Sequence, residues 1–169
     1  LVQHAIDCAR HSGLIADVCV SSDDHDLIYR GAYAVSRPAQ IAGPTADISD
    51  AVKHALGRME EMTGRRYDYI LTLQPAVLAR SPLIVRRIIE HCAHGPINGA
   101  VTAARTVPWQ WTVTPNGASN GWSPGPYPRS QDSSHHLAEI NAVQLASREM
   151  VLAGKRWGAP LTLVELPPW

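Results

Sequence analysis

Gln74, Pro75 and Arg80 follow an apolar run, Tyr69, Ile70, Leu71 and Leu73, inside the stretch YDYILTLQPAVLARSP at residues 67–82. Such a run, broken by an amide, a proline and a lone cation, reads as a buried strand that ends in a loop. An amide and a guanidinium at a strand tip are groups suited to a polar ligand. Other clusters offer metal chemistry. EHCAH at 90–94 sets His91 and His94 at i and i+3 on a helix end, where zinc would need further ligands from elsewhere. A polar helix terminus is the plainer reading. DDHD at 23–26 offers carboxylates for Mg²⁺, but acidic residues in a first helical turn are ordinary caps and dipole partners, and capping is favoured. His135-His136 is a weaker signal. The chain has no G-x-x-x-x-G-K-[ST] or G-x-G-x-x-G motif.

These residues need elements to position them, and the pattern along the chain alternates. Apolar residues at 1, 2, 5, 6 and 9 make a helical stripe over 1–12, closed by Gly13. Residues 16–21, ADVCVS, predict a short strand. Asp23 or Asp24 caps a short helix through Arg30, and a brief strand follows at 33–35. The clearest helix spans 48–63, with Val52, Leu56 and Met59 on one side, Asp47 or Ser49 at its start and Gly64 at its end. After the strand at 69–73 come a helix at 83–92 and a strand at 99–105. A last unit has strands near 140–145 and 161–166 around a helix at 148–152. This alternation predicts a parallel sheet covered on both faces, with 16–21 and 69–73 as interior parallel strands. Ligands in such sheets bind beyond the carboxyl ends of the strands, where Gln74 and Arg80 fall.

Residues 106–136 break the pattern with Pro108, Pro115, Pro124, Pro126 and Pro128 among Trp109, Trp111 and Trp122. Three tryptophans are too many for a solvated linker, so the segment is expected to fold against something apolar, with a second chain as plausible a cover as the same chain.

The bulk properties bound the rest. A chain of 169 residues predicts one domain with a real core. Fifteen Lys and Arg balance 15 Asp and Glu, so electrostatics makes no case for nucleic acid or an anionic membrane. No apolar run reaches the roughly 20 residues of a membrane span. Cys8, Cys19 and Cys92 have no regular spacing and leave one over, which points to reduced thiols and a cytoplasmic protein.

The order of four stretches resembles the acylneuraminate cytidylyltransferase family, the CMP-sialic acid synthetases. SGLIADVCVSSDDHDL (12–27) resembles S-G-L-x-x-x-V-x-V-S-T-D-D-x-x-I, and RPAQIAGPTADISDAVKHAL (37–56) resembles R-P-x-x-L-A-x-D-x-A-S-S-x-D-x-V-x-x-A-L. YDYILTLQPAVLARSP is similar to Y-D-x-x-x-x-L-Q-P-T-S-P-L-R. RSQD (129–132) with INAVQL (140–145) is similar to R-R-Q-D-L-P with N-G-A-I-Y-I. The resemblance implies a three-layer αβα, Rossmann-like nucleotidyltransferase domain over 1–169, with a mainly parallel sheet and a small dimerisation and sugar-binding extension at 106–145. It implies an enzyme that joins CTP to a nonulosonic, sialic-type sugar acid and releases pyrophosphate, working as a homodimer. By the same resemblance Arg37 reaches the nucleotide, while Gln74, Arg80, Arg129 and Asn141 reach the sugar acid. No catalytic residue is assigned.

The departures carry their own expectations. The family's phosphate-binding loop, with Arg, Gly, Ser and Lys, would lie upstream of Leu1, and its Mg²⁺-binding Asp-x-Asp would lie just beyond Trp169. Mg²⁺ is therefore expected from the family with its ligands absent from this chain, and the 169-residue piece is expected to be inactive by itself. Pro44 replaces an Asp, and Asp47 and Ile48 replace two Ser. Ala76, Val77 and Leu78 replace Thr-Ser-Pro, and Gln144 or Leu145 stands for a Tyr, all of which removes hydroxyls. The alternative is a degenerate, inactive member kept as a dimeric nucleotide-binding, sugar-binding or interaction domain.

Overall fold

The structure is a computed structural model that describes residues 1–24, 31–91, 95, 97–106, 111–115, 117–120, 129 and 136–166. In chain order it runs α1 (Val2–His11), β1 (Cys19–Ser22), β2 (Tyr33–Ser36), a 3₁₀ turn (Ala39–Ile41), α2 (Ile48–Thr63), β3 (Tyr69–Leu73) and α3 (Pro82–Glu90). There follow β4 (Gly99–Thr106), a hairpin of β5 (Trp111–Thr114) and β6 (Gly117–Asn120), β7 (His136–Ser147), α4 (Arg148–Leu152) and β8 (Leu161–Glu165). The helix expected from Asp23 or Asp24 to Arg30 lies mostly outside the described residues, as do Trp109 and Trp122.

Local chemistry sets the helix bounds. The Asp47 carboxylate accepts from the Ser49 amide at 2.8 Å and opens α2, and Gly64 closes it at φ +67°, a left-handed conformation that costs a side chain. Ser81 accepts from the Ile84 amide to open α3, with Pro82 in the first turn, where its missing N–H costs nothing. Between these caps, Ala51, Ala55, Leu56 and Met59 form the buried stripe of α2, and Ile84, Val85 and Ile88 that of α3.

The strands form a three-layer α/β domain, as the alternation predicts. β1 and β2 pair in parallel; β3, β7, β4 and β8 lie in that order, with β4 and β8 parallel and β7 antiparallel to both β3 and β4. Val85, Ile88, Ala100, Ala142, Val143 and Leu145 make the main core between α3 and this sheet. The expectation of two interior parallel strands needs correction: β1 begins at Cys19 and is parallel to β2, but no described strand pairs with its other edge, and 69–73 departs further. β3 is not an interior parallel strand: it pairs antiparallel with β7 on one edge, and no described strand pairs with its other edge. An apolar run reports that the faces of a strand are covered, and it carries no sign of whether the strand beside it runs parallel or antiparallel.

Candidate functional site

Arg37, Gln74 and Arg80 lie beyond strand ends and Asn141 lies within β7, and these residues do not converge on one pocket. Arg37 follows β2 and turns back on its neighbour. Its Nη2 donates to the Ser21 carbonyl at 2.6 Å and its Nε to the Ser21 hydroxyl at 3.3 Å, while its own amide donates to Ser22. Gln74, half-buried, is the first residue beyond β3, and its carbonyl accepts from the Val77 amide at 3.1 Å.

Arg80 is only 5% exposed. Its Nη2 donates to the carbonyls of Gln74 and Val77, and to that of Pro75 at 3.2 Å, so the guanidinium holds its own loop closed. Its Nε and Nη1 are buried without a partner among the described residues. Burial lowers the Arg80 pKa, and the same burial raises that of Cys8 nearby, against the pull of the Arg80 charge. Arg129 is exposed, between residues outside the described set.

Asn141 has company. Its Oδ1 accepts from Gln144 Nε2 at 2.6 Å and from Arg156 Nη2 at 3.1 Å. Gln144, 5% exposed, sits opposite Thr72 of β3 and also donates to Glu139 at 2.7 Å. Beside them Ile48, Ser49 and Val52 of α2, with Thr72, Gln144, Lys155 and Arg156, line a shallow cleft. The amino end of a helix carries partial positive charge, and Lys155 and Arg156 add full ones. Two cations thus border the first turn of α2, where the Asp47 carboxylate at the same helix end offsets part of their charge, with amide and hydroxyl groups beside them. This lining does not include Arg37, Gln74 or Arg80.

Sequence reading missed Lys155 and Arg156. They follow Gly154, which leaves α4 at φ +71°, and two charges in a short loop carry no periodicity to mark them. Gln144 was noticed only as a departure from a Tyr. No group of three or more His, Cys, Asp or Glu that could hold a metal is gathered among the described residues. His91 ends α3, and 92–94 of EHCAH lie outside the described residues. Among the described residues no helix is long and apolar enough to cross a membrane.

No family model matches the chain, and no curated protein sequence does. Its fold is similar to that of a solved CMP:2-keto-3-deoxy-manno-octonic acid synthetase complexed with CTP, at TM-score 0.62 and 16% identity. The likeness covers 98% of this chain and 78% of that one, and it shows a shared fold.

Proposed function

We propose that the domain is a cytidylyltransferase that activates a nonulosonic, sialic-type sugar acid with CTP. The observation that carries this reading is the cleft where Gln144, Lys155 and Arg156 meet the first turn of α2, with Asn141 hydrogen-bonded to both Gln144 and Arg156. Lys155 and Arg156 hold the sugar-acid carboxylate, and Ser49, Thr72 and Gln144 read its hydroxyls. Gln74, two residues beyond Thr72, extends that surface, and Arg80 keeps the Gln74 loop in shape. Arg37 serves the nucleotide at the end of β2, and Arg129 reaches the sugar acid from the extension. A fold shared with a sugar-acid synthetase solved with CTP supports the choice of nucleotide.

In this reaction the anomeric hydroxyl oxygen attacks the α-phosphorus of CTP. An oxygen–phosphorus bond forms, the bond to the oxygen bridging to the β-phosphate breaks, and pyrophosphate leaves with that electron pair while the hydroxyl proton passes to solvent. Mg²⁺ belongs to the reading as the ion that neutralises triphosphate charge, but the described carboxylates do not gather to hold it, so no step is drawn through it. A homodimer formed through 106–145 and a cytoplasmic location complete the proposal. Val113 in the hairpin, 79% exposed, is an apolar group a second copy would cover.

Calorimetry with 2-keto-3-deoxy-manno-octonic acid, N-acetylneuraminic acid and CTP tests the reading. One of the acids should bind, and Arg156→Ala should weaken it by about tenfold or more. Sugar-acid binding that is absent, or indifferent to Arg156→Ala, sinks the assignment. A second reading, a binding domain without turnover, is favoured by one observation: Arg37 and Arg80 spend donors on main-chain carbonyls of Ser21, Gln74 and Val77. Ligand binding with no pyrophosphate released from CTP would decide for it.

A further inference from the structure

β7 changes face part-way along its length. Against β4 it keeps one register from Ala146 to Gln144, opposite Gly99 to Val101, and another from Glu139 to His136, opposite Ala103 to Thr106. On β4 only Thr102 separates the two runs, whereas on β7 residues 140–143 do, so β7 carries a bulge of three extra residues. An odd insertion reverses the alternation of side chains. Val101 and Ala103 share a face, and directly paired residues share it with them, so Gln144 and Glu139 lie on one face despite their odd spacing. Thr72 and Ala146 lie on it too, and Ala146 packs there against Leu56 of α2 and Val151 of α4. Ile140, Ala142 and Val143 of the bulge pack in the main core.

Thr102 holds the bulge. It is fully buried, and its hydroxyl donates to the Ile140 carbonyl at 2.5 Å and accepts from the Val143 amide at 3.2 Å. On the same side of β7 the Ser147 amide donates to the Asn98 carbonyl of the chain leading into β4. The Thr102 side chain thus stands in for a ladder bond that the bulge removes.

The bulge also fixes the polarity of Gln144. Arg156 can only donate, so the Asn141 atom that faces it, at 3.1 Å, is the amide oxygen. That oxygen and the Glu139 carboxylate can only accept, so Gln144 turns its nitrogen to both, at 2.6 and 2.7 Å. Both Nε2 hydrogens are then engaged, and Oε1 is the polar atom of Gln144 left without a described donor. Gln144 lines the cleft.

We propose that Thr102 is a positioning residue of this cleft: its hydroxyl fixes the bulge that sets Gln144 beside Glu139 and Asn141, so that the Gln144 carbonyl oxygen is the acceptor offered to a ligand. The proposal rests on the sugar-acid reading of the cleft and names what that acid carries at this place, a hydroxyl or acylamino N–H. A keto, ether or second carboxylate oxygen there would meet Oε1 acceptor to acceptor and is refused.

The test pairs Thr102→Val, which keeps the shape and loses the hydroxyl, with Thr102→Ser, which does the reverse. Amide exchange is followed by NMR without ligand. In Thr102→Val the Val143 amide and the Gln144 side-chain amide should exchange about tenfold or more faster, with Leu145 little changed, and Thr102→Ser should restore both. In calorimetry with N-acetylneuraminic acid and 2-keto-3-deoxy-manno-octonic acid, Thr102→Val and Gln144→Ala should each weaken the acid that binds by about tenfold, and Thr102→Ser should not. If Thr102→Val does not fold, the wild-type chain decides: its Gln144 side-chain amide should exchange at least about tenfold more slowly than that of a free glutamine side chain. Equal rates overturn the proposal. So do Val and Ser variants that lose affinity alike, which would make packing the role of Thr102, and binding indifferent to Gln144→Ala. A wild-type chain that binds neither acid sinks the sugar-acid reading instead, and the exchange rates then decide by themselves whether Thr102 sets the place of Gln144.

Discussion

β1 with β2 and β4 with β7 and β8 have similar apolar content, yet they are buried to different depths. Ala100, Val101, Thr102 and Ala103 of β4 are at most 1% exposed, whereas no residue of β1 is buried and Val35 alone is in β2. VCVS and AVTAA differ little in hydrophobicity. They differ in neighbours: among the described residues β4 has a strand on either side and α3 above, while β1 pairs with β2 alone. Among the described residues, burial follows how many strand neighbours a strand has.

The largest effects should come from the part of the sheet around β4. Val85→Ala empties a fully buried site in the main core and should cost about 2–3 kcal/mol in urea unfolding. Val35→Ala makes the same deletion in the smaller cluster with Ala55 and Met59, where the site collapses more readily, and should cost about half as much. Equal costs would break the comparison. Gly99→Ala sharpens it, because a Cβ there comes within 2.5 Å of Trp157 Cβ; a loss of about 1–3 kcal/mol is expected from overpacking. Ser81→Ala removes the cap of α3 and should lower stability by about 1 kcal/mol.

The join between the halves should respond to pH. Arg148 donates to both oxygens of Glu60 at 2.9 Å, with the Tyr67 amide on the same carboxylate, and these bonds hold Glu60 down at about 2. The folded state thus binds this proton less readily than the unfolded chain. Its stabilisation is complete above the ordinary carboxylate value near 4.5 and is lost as pH falls from there toward about 2. Thermal unfolding between pH 7 and pH 2 should show that loss, and Glu60→Gln should flatten it. The smallest effect concerns Cys19, whose thiol burial pushes up to about 11. Alkylation at pH 8 should be slow in the folded chain and fast in urea; rapid labelling of the native protein would mean that the β1 half opens freely.

The helices were the most legible elements. Over 48–63 the apolar stripe, the Asp47 cap and the closing glycine agree, and α2 has those bounds. β7 was longer than the 140–145 expected, because His136–Glu139 pair with β4 through backbone while their side chains stay exposed. In the candidate site, the strand-tip position of Gln74 was legible, since an apolar run ending at Leu73 sets it. The orientation of Arg80 was not. A lone cation in a loop reads as facing a ligand, and only the fold shows three carbonyls of its own loop around it.

The sequence by itself determined the alternation of helix and strand, the Asp47 and Gly64 caps of α2 and its buried side. These are local matters of period, side-chain oxygen and glycine conformation. The direction of β7, the split between β1 and β3 and the meeting of Asn141 and Gln144 with Arg156 were decided by tertiary structure. Strand partners are joined through N–H and C=O groups, which nearly every residue carries alike, so the partner is chosen by whichever chain arrives beside it.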